Sequence, residues 1–253
     1  MFMKIDLNKK IYLLIIIIGT LFFVPYLGAF HLFDWDEVNF AEASREMITT
    51  GDFFTVRIDY QPFHEKPPLF FWMQALSMKI FGITEFAARF PNAIVGIFTL
   101  LVLFSIGKKL FDYKFGLLWV LTFLGTILPF FYFKFGIIDP TFNLFMFISI
   151  YFLYKFHSNL PDNIFNNSRN LFYAGLFTCL AILTKGPVGY LLPCLIWIGF
   201  WIINRKKISF EFKGFTKYTL VSFSLPILWF IGIIIFNSKE IFEQFIQYHF
   251  RLL

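Results

Sequence analysis

Three short polar clusters interrupt a mostly apolar chain, and each holds residue types that could do chemistry. A carboxylate close to an acceptor hydroxyl can act as a general base, and a lysine can neutralise the charge of a phosphate. The three clusters therefore indicate proton removal and phosphate binding. They are Asp36-Glu37, Glu65-Lys66-Pro67-Pro68 and Asp139-Pro140.

Each of these residues also has a purely structural interpretation. Asp36 starts a predicted helix, where the positive helix end favours a carboxylate, so it could be a base, an N-cap or both. Pro67 restricts Lys66 to an extended conformation, which suits a fixed phosphate contact, but an interfacial lysine can also snorkel toward headgroups. Asp139 could cap the span that follows it, although carboxylates beside a membrane are functional candidates by default.

A helix that ends at Gly51 is predicted to position Asp36. Apolar residues recur at helical spacing, Asp34 and Glu37 fit a capping box, and Gly51 suits a left-handed C-terminal cap. The helix should lie on the membrane surface with one apolar and one polar face. The apolar face is Phe40, Ala43, Met47 and Ile48, and the polar face is Glu42, Arg45, Glu46 and Thr49.

The composition predicts a membrane protein. Of 253 residues, 58% are hydrophobic and 15% are charged, and the mean hydropathy is +0.69; a soluble domain typically carries about 25% charged residues. The two cysteines, Cys179 and Cys194, lie in apolar runs, which argues against a disulfide framework. We therefore expect an all-α polytopic transmembrane bundle that forms a single module over residues 1–253.

Seven stretches are predicted to cross the membrane, and two of them are short for the roughly 30 Å hydrocarbon core. The first could instead be a cleaved signal peptide, although its apolar run is longer than usual. Residues 67–82 contain Gln74, Ser77 and Lys79 and are predicted to lie in the interface. The spans are 11–30, 91–107, 115–133, 140–154, 170–184, 186–204 and 218–238, of which 140–154 and 170–184 are the short ones.

The distribution of basic residues predicts the orientation. The segments on the N-terminal side of the membrane hold 13 of the 22 Lys and Arg and 4 of the 16 acids. By the positive-inside rule the N-terminus is cytoplasmic, and Asp36, Lys66, Asp139 and Lys185 share the extracytoplasmic face of the inner membrane. The net charge of +6 is thus a topology signal and not a nucleic-acid footprint.

Taken together, these motifs resemble the lipid-phosphosugar-dependent glycosyltransferases of the GT-C fold. The likeness is strongest to the aminoarabinose lipid A transferases and the dolichyl-phosphate-mannose protein mannosyltransferases. The matching stretches are Asp36-Glu37-Val38-Asn39-Phe40-Ala41-Glu42, Arg45-Glu46-Met47, Gly51-Asp52, Glu65-Lys66-Pro67-Pro68-Leu69, Phe81-Gly82, Ala87-Ala88-Arg89-Phe90-Pro91 and Asp139-Pro140.

The resemblance implies an inverting transferase that uses a polyprenyl-phosphate sugar and a lipid, glycan or protein acceptor. It makes Asp36 the candidate base, Asp139 the second catalytic acid and Lys66 a phosphate ligand, and it places a possible divalent metal at Glu65. The aminoarabinose branch has an arginine where this chain has Asn39, and Arg45 or Arg89 could replace it. The remaining substrate-binding candidates are Glu37, Glu65 and Lys185.

Two other functions fit parts of the sequence. A transporter is one, although transporters typically show inverted repeats and broken helices at mid-membrane. The other is a non-catalytic subunit that binds a polyprenyl phosphate for a partner enzyme. The resemblance covers only the N-terminal part of the family's length, so we expect a fragment, a truncated product or one half of a split enzyme whose partner supplies the missing spans.

Overall fold

The computed structural model describes residues 7–33, 35–158, 164–205, 210–236 and 239–251, which form eleven α-helices and one β-hairpin. The helices are α1 Leu7–Phe23, α2 Asp36–Thr50, α3 Leu69–Phe81, α4 Glu85–Leu110, α5 Tyr113–Leu124, α6 Ile127–Tyr132, α7 Asp139–Ser158, α8 Ile164–Lys185, α9 Val188–Asn204, α10 Phe212–Phe236 and α11 Lys239–Arg251; the strands are β1 Arg57–Ile58 and β2 Gln61–Pro62.

A helix occupies every stretch predicted to cross the membrane, and the chain is a helical membrane bundle. By length and composition alone, α4 and α10 are long and apolar enough to span, and α3, α5 and α9 are shorter apolar helices. With 13 residues, α3 is only about 20 Å long, and its interfacial position stays a prediction.

The third predicted span, 115–133, is not one helix. It breaks after α5, where Thr126 adopts an extended conformation, and resumes as the short α6. Gly125 and Pro129 explain the break, since glycine weakens a helix interior and proline is favoured only in a first turn. The two spans that looked short are longer than predicted: α7 has 20 residues and α8 has 22, or about 30 Å each.

Backbone contacts divide the chain into two compact units. Unit 1 comprises residues 1–45 and 73–140, and unit 2 comprises residues 46–72 and 141–253. The single module expected from the sequence stays a prediction, and each unit is described by itself.

In unit 1, α4 packs against α1 and α5. The contact between α4 and α5 depends on a glycine pair, because a Cβ atom added to Gly107 would lie 2.9 Å from the Cα of Gly116. Small residues let membrane helices approach closely, so that dispersion and backbone contacts can replace the missing hydrophobic driving force.

In unit 2, α8 packs against α9 and α10, and a buried chain of hydroxyl groups joins three helices. Thr178 of α8 lies 2.7 Å from the Ser149 hydroxyl of α7 and 2.8 Å from the Tyr218 hydroxyl of α10. The aromatic rings of Phe156, Trp197 and Tyr218 pack around it. Hydrogen bonds of this kind link helices inside a membrane.

The helix predicted to carry Asp36 is α2, and its predicted end is confirmed. Gly51 has φ +73° and donates to the Met47 carbonyl. The polar face is partly wrong, since Glu46 is 1% exposed and accepts a hydrogen bond from the Tyr60 N–H at 3.0 Å. Asp34, predicted to form the capping box, lies outside the described residues.

The hairpin follows α2 and has a two-residue turn. Arg57 lies opposite Pro62 and Ile58 opposite Gln61, while Asp59 and Tyr60 have φ of 55° and 59°. Positive φ at both turn residues is typical of a type I′ turn, which Asp-Tyr satisfies here in place of the usual Asn-Gly or Asp-Gly. The turn is anchored to α2 by the Tyr60–Glu46 bond.

Candidate active site

Asp36 is the first residue of α2 and is exposed. The residue before it, Trp35, has φ +72°, a conformation that non-glycine residues adopt at a cost of about 1–3 kcal/mol. Such strain persists where surrounding contacts fix the backbone. A carboxylate at a helix N-terminus, held by a strained residue and open to solvent, is well placed to accept a proton.

Glu37 supplies those surrounding contacts. Its side chain is 2% exposed and accepts four hydrogen bonds in unit 1. Arg89 donates from Nε at 2.8 Å and from Nη2 at 2.9 Å. The backbone N–H groups of Phe33 and Gly136 donate at 2.8 and 2.6 Å. Glu37 therefore fixes the segment before Asp36 to the segment before Asp139.

Arg89 uses all five of its N–H donors within unit 1. Besides the two bonds to Glu37, it donates to the carbonyls of Leu27, Phe30 and His31 at 2.8–2.9 Å. We call this arrangement the Glu37–Arg89 clamp. The polar atoms of both residues are bonded to the protein and their side chains are only 2% and 4% exposed, so the structure gives them an orienting role, and the expectation that they bind substrate stays a prediction.

Asp139 is the first residue of α7, one position inside the helix that it was predicted to cap, and is half-buried. Asn92 of α4 donates to the Phe135 and Ile137 carbonyls at 2.7 and 2.5 Å. The turn before Asp139 is thus held by Asn92 from one side and by Glu37, through Gly136, from the other. Unit 1 therefore places both candidate acids on backbone segments that the same polar network orients.

Arg45 is the most accessible of the predicted unit 1 cations. It forms a bidentate ion pair with Glu42, with N–O distances of 2.8 and 2.5 Å, and both side chains are about a third exposed. The pair lines an open hollow of about 240 Å³. Arg45 keeps its predicted role as a substrate contact.

In unit 2, Lys66 is bound by its neighbour. Its ammonium lies 2.5 Å from the Glu65 carboxylate, and the two side chains are 19% and 40% exposed. An ammonium has three donors, so this bond leaves capacity for a phosphate oxygen. Within the described part of the chain, no group of three or more His, Cys, Asp or Glu could hold a metal ion. The metal suggested at Glu65 stays a prediction.

An apolar cavity of about 180 Å³ is lined by the residues that directly follow Lys66 and Lys185, two predicted substrate-binding lysines. Pro67, next to Lys66, and Gly186, next to Lys185, line the same cavity. Its other walls include Leu183, Trp229 and Phe245, which belong to one core cluster. The Lys185 ammonium lies 5.5 Å from the Phe142 ring centre. In unit 2, therefore, two of the segments that line an apolar cavity are each directly preceded by a lysine.

One residue that orients the site was missed in the sequence. Asn92 is a fully buried amide inside the long apolar helix α4. A polar side chain in apolar surroundings costs free energy. An isolated polar residue in an apolar run was therefore the sequence feature that could have identified it.

Solved structures with a similar helical fold match this chain, in agreement with the predicted GT-C fold. ArnT from Cupriavidus metallidurans bound to undecaprenyl phosphate superposes with a TM-score of 0.78 at 24% identity, over 92% of this chain and 43% of that one. The Archaeoglobus fulgidus oligosaccharyltransferase gives a TM-score of 0.56 at 16% identity, over 89% of this chain and 30% of that one.

The family itself is shown by sequence. A family model described as dolichyl-phosphate-mannose-protein mannosyltransferase matches residues 65–231, more than half of the chain. The chain belongs to this family, which confirms the resemblance derived from its motifs.

Curated relatives are longer than this chain. An uncharacterized protein of Aquifex aeolicus is 32% identical over 94% of this chain and 53% of its own length. An undecaprenyl phosphate-alpha-4-amino-4-deoxy-L-arabinose arabinosyl transferase of Shewanella sediminis is 28% identical over 78% of this chain and 36% of its own length. The chain thus spans between about a third and a half of these relatives.

Proposed function

We propose that this chain carries the donor-binding and base-bearing part of a membrane glycosyltransferase. It moves a sugar from a polyprenyl-phosphate carrier to an acceptor hydroxyl. The observation that carries the proposal is the placement of Asp36: an exposed carboxylate at a helix N-terminus, preceded by a strained residue and followed by the buried Glu37–Arg89 clamp. A residue that served only to cap a helix would not need so rigid a setting.

The reaction is a single displacement. Asp36 accepts the proton of the acceptor hydroxyl, and the hydroxyl oxygen forms a bond to the anomeric carbon. The bond from that carbon to the phosphate oxygen breaks at the same time, and the electron pair leaves with the polyprenyl phosphate. Because attack comes from the side opposite the leaving group, the anomeric configuration inverts. A positioned base contributes about 10²–10⁴-fold.

Unit 2 supplies the features expected for the donor. The apolar cavity of about 180 Å³ suits a segment of polyprenyl chain. Lys66 and Lys185, which precede two of its lining residues in the sequence, supply positive charge for the phosphate. Stabilising charge that develops on a leaving group is commonly a large catalytic term. The donors named for the relatives, undecaprenyl phosphate sugars, have this chemistry.

A transfer assay tests the activity. The chain in lipid nanodiscs, in molar excess over a panel of polyprenyl-phosphate sugars, should release polyprenyl phosphate within one turnover and give a product of inverted anomeric configuration by NMR. Retained configuration would contradict direct displacement with Asp36 as base. Donor binding without transfer to any lipid, glycan or peptide acceptor would instead identify a lipid-carrier-binding subunit.

Orientation is tested separately. If the site faces the extracytoplasmic side, a cysteine replacing Gln61, the first residue after the hairpin turn, should react with an impermeant maleimide in intact cells, and one replacing Lys114 should not. Both positions are exposed, and the native Cys179 and Cys194 are buried, so the background should be low. Labelling of Lys114→Cys, with Gln61→Cys protected, would show that the orientation is the reverse of the predicted one.

A further inference from the structure

Unit 1 contains a second cavity that the proposed reaction does not use. It has a volume of about 500 Å³, within the range of small-molecule sites. We call it the aromatic hollow, because six aromatic side chains form most of its wall: Tyr26, Phe30, Phe33, Phe130, Phe131 and Phe135. They come from two segments, 26–33 after α1 and 130–135 at the end of α6.

Several of these rings are well exposed. The exposed fractions are 79% for Tyr26, 71% for Phe30, 58% for Phe33 and 50% for Phe131. The hollow lies near the ends of two predicted spans, and aromatic residues are common at that depth. A belt of aromatic residues alone, however, requires neither a cavity nor a cation inside it.

Two cations line the hollow, and only one of them is neutralised. Arg89 is paired with Glu37. Lys134 donates to the Pro25 carbonyl at 3.0 Å and lies 4.4 Å from the Phe130 ring centre. Among the described residues, no carboxylate forms an ion pair with it. The hollow therefore has a net positive charge between apolar walls.

Burial lowers the pKa of Lys134, because desolvation penalises the ammonium. An anion bound beside it would offset that penalty. The rings provide no such compensation beyond the single cation–π contact, and the Pro25 carbonyl accepts only one of the three N–H donors. The charge state of the pocket thus calls for an anionic group on an apolar ligand.

We propose that the aromatic hollow binds an anionic amphiphile, with its phosphate on Lys134 and its hydrocarbon chain along the six rings. The hollow is lined by residues of unit 1 alone, on the segments that lead to Asp36 and Asp139, whereas the cavity next to Lys66 and Lys185 is lined by residues of unit 2. The ligand could come from the bulk phospholipid or from a phosphorylated acceptor lipid. Both sources share the same chemistry, a phosphate attached to a hydrocarbon chain.

The headgroup should set the selectivity. Inside a bilayer the surrounding acyl chains are as apolar as the rings, so burial of a hydrocarbon chain gives little net driving force. A lysine near an anionic headgroup increases the binding of that lipid about fivefold, which corresponds to about 1 kcal/mol. Two lipids with identical acyl chains should therefore differ in occupancy by their headgroup charge alone.

Photolabelling in nanodiscs tests the site. Trace phosphatidylglycerol and phosphatidylcholine, each with the same diazirine-bearing acyl chain, are activated, and the labelled peptides are mapped. Phosphatidylglycerol should label segments 26–33 and 130–135 about fivefold more than phosphatidylcholine. Lys134→Gln should reduce that ratio to about one, while Lys134→Arg and the matched exposed control Lys114→Gln should keep it. Equal labelling in the parent, or an unchanged ratio in a folded Lys134→Gln, would overturn the proposal.

Competition identifies the source and keeps the site apart from the proposed reaction. A phosphorylated glycolipid that displaces the label when equimolar with the protein indicates an acceptor site. Displacement only by excess unlabelled phosphatidylglycerol indicates a bulk-lipid site. Lys66→Ala should leave labelling of the hollow unchanged. Loss of labelling in that variant would mean that the hollow reports donor binding and is not an independent site.

Discussion

The region around Asp36 in unit 1 and the cavity of unit 2 are built on different forces. In unit 1, four donors converge on one buried carboxylate, and five N–H groups of one arginine are all bonded. In unit 2, the cavity wall is apolar, and Lys66 forms an ion pair with Glu65, its neighbour in the chain. A proton acceptor must be aimed within tenths of an ångström, which directional bonds achieve. A polyprenyl chain has no directional groups and needs only a shaped apolar surface.

The largest expected effect concerns Asp36. Asparagine is nearly as good at a helix N-terminus as aspartate but cannot accept a proton, so Asp36→Asn should lower single-turnover transfer by about 10²–10⁴-fold. Its melting temperature and donor binding should match the parent. Asp36→Ala should lose the same activity and also some stability. If Asp36→Asn retained most of the transfer rate, Asp36 would not be the base, and Asp139 would become the next candidate.

Next in size is the stability cost of opening the clamp. Arg89→Met leaves the Glu37 carboxylate buried without its partner, which typically costs about 3–5 kcal/mol of unfolding free energy. Arg89→Lys keeps the charge but not the five-donor geometry, and should fall between Arg89→Met and the parent. The measurement is a denaturant titration in detergent micelles.

A matched ion pair provides the control for that titration. Arg45→Met breaks the partly exposed pair with Glu42 in the same helix, and such pairs are worth about 0.3–0.5 kcal/mol. Equal losses for Arg89→Met and Arg45→Met would show that the buried clamp is no more important than a surface pair.

The contrast between the two regions also explains how far the sequence could be interpreted. The start of α2 at Asp36 and its end at Gly51 were predictable, because helix caps and C-terminal glycines act locally. The partnership of Glu37 with Arg89 was not, since the two are 52 positions apart and a charged residue in a motif can equally contact substrate. The break at Gly125 and Thr126 was hidden because the whole stretch is apolar, and hydropathy does not register backbone conformation.

Substitution of Lys66 in unit 2 should have a smaller effect, on the affinity for polyprenyl phosphate. Lys66→Ala should weaken polyprenyl-phosphate binding about tenfold or more, as expected for a charge-assisted hydrogen bond. Lys66→Arg should restore part of it. Glu65→Gln should tighten binding, because the neutral amide competes less for the ammonium. Fluorescence titration with a labelled polyprenyl phosphate measures all three variants, and equal affinity in Lys66→Ala and the parent would assign Lys66 to membrane anchoring.

The smallest effect should come from the hydroxyl chain of unit 2. Tyr218→Phe removes the hydroxyl that lies 2.8 Å from Thr178 and preserves the ring, so it should cost only about 0.6 kcal/mol, the average for interhelical hydrogen bonds in membranes. Tyr218→Ala also removes a fully buried ring, and should cost about 3–5 kcal/mol, as truncation of a large aromatic side chain does in a packed core. The ratio between the two variants separates hydrogen bonding from packing at one position. If unit 2 depends on packing, as its apolar cavity indicates, Tyr218→Phe will be nearly silent and Tyr218→Ala severe. If Tyr218→Phe instead lowered the unfolding free energy as much as Arg89→Met, polar bonds would stabilise unit 2 as they stabilise unit 1. The proposed difference between the two regions would then be wrong.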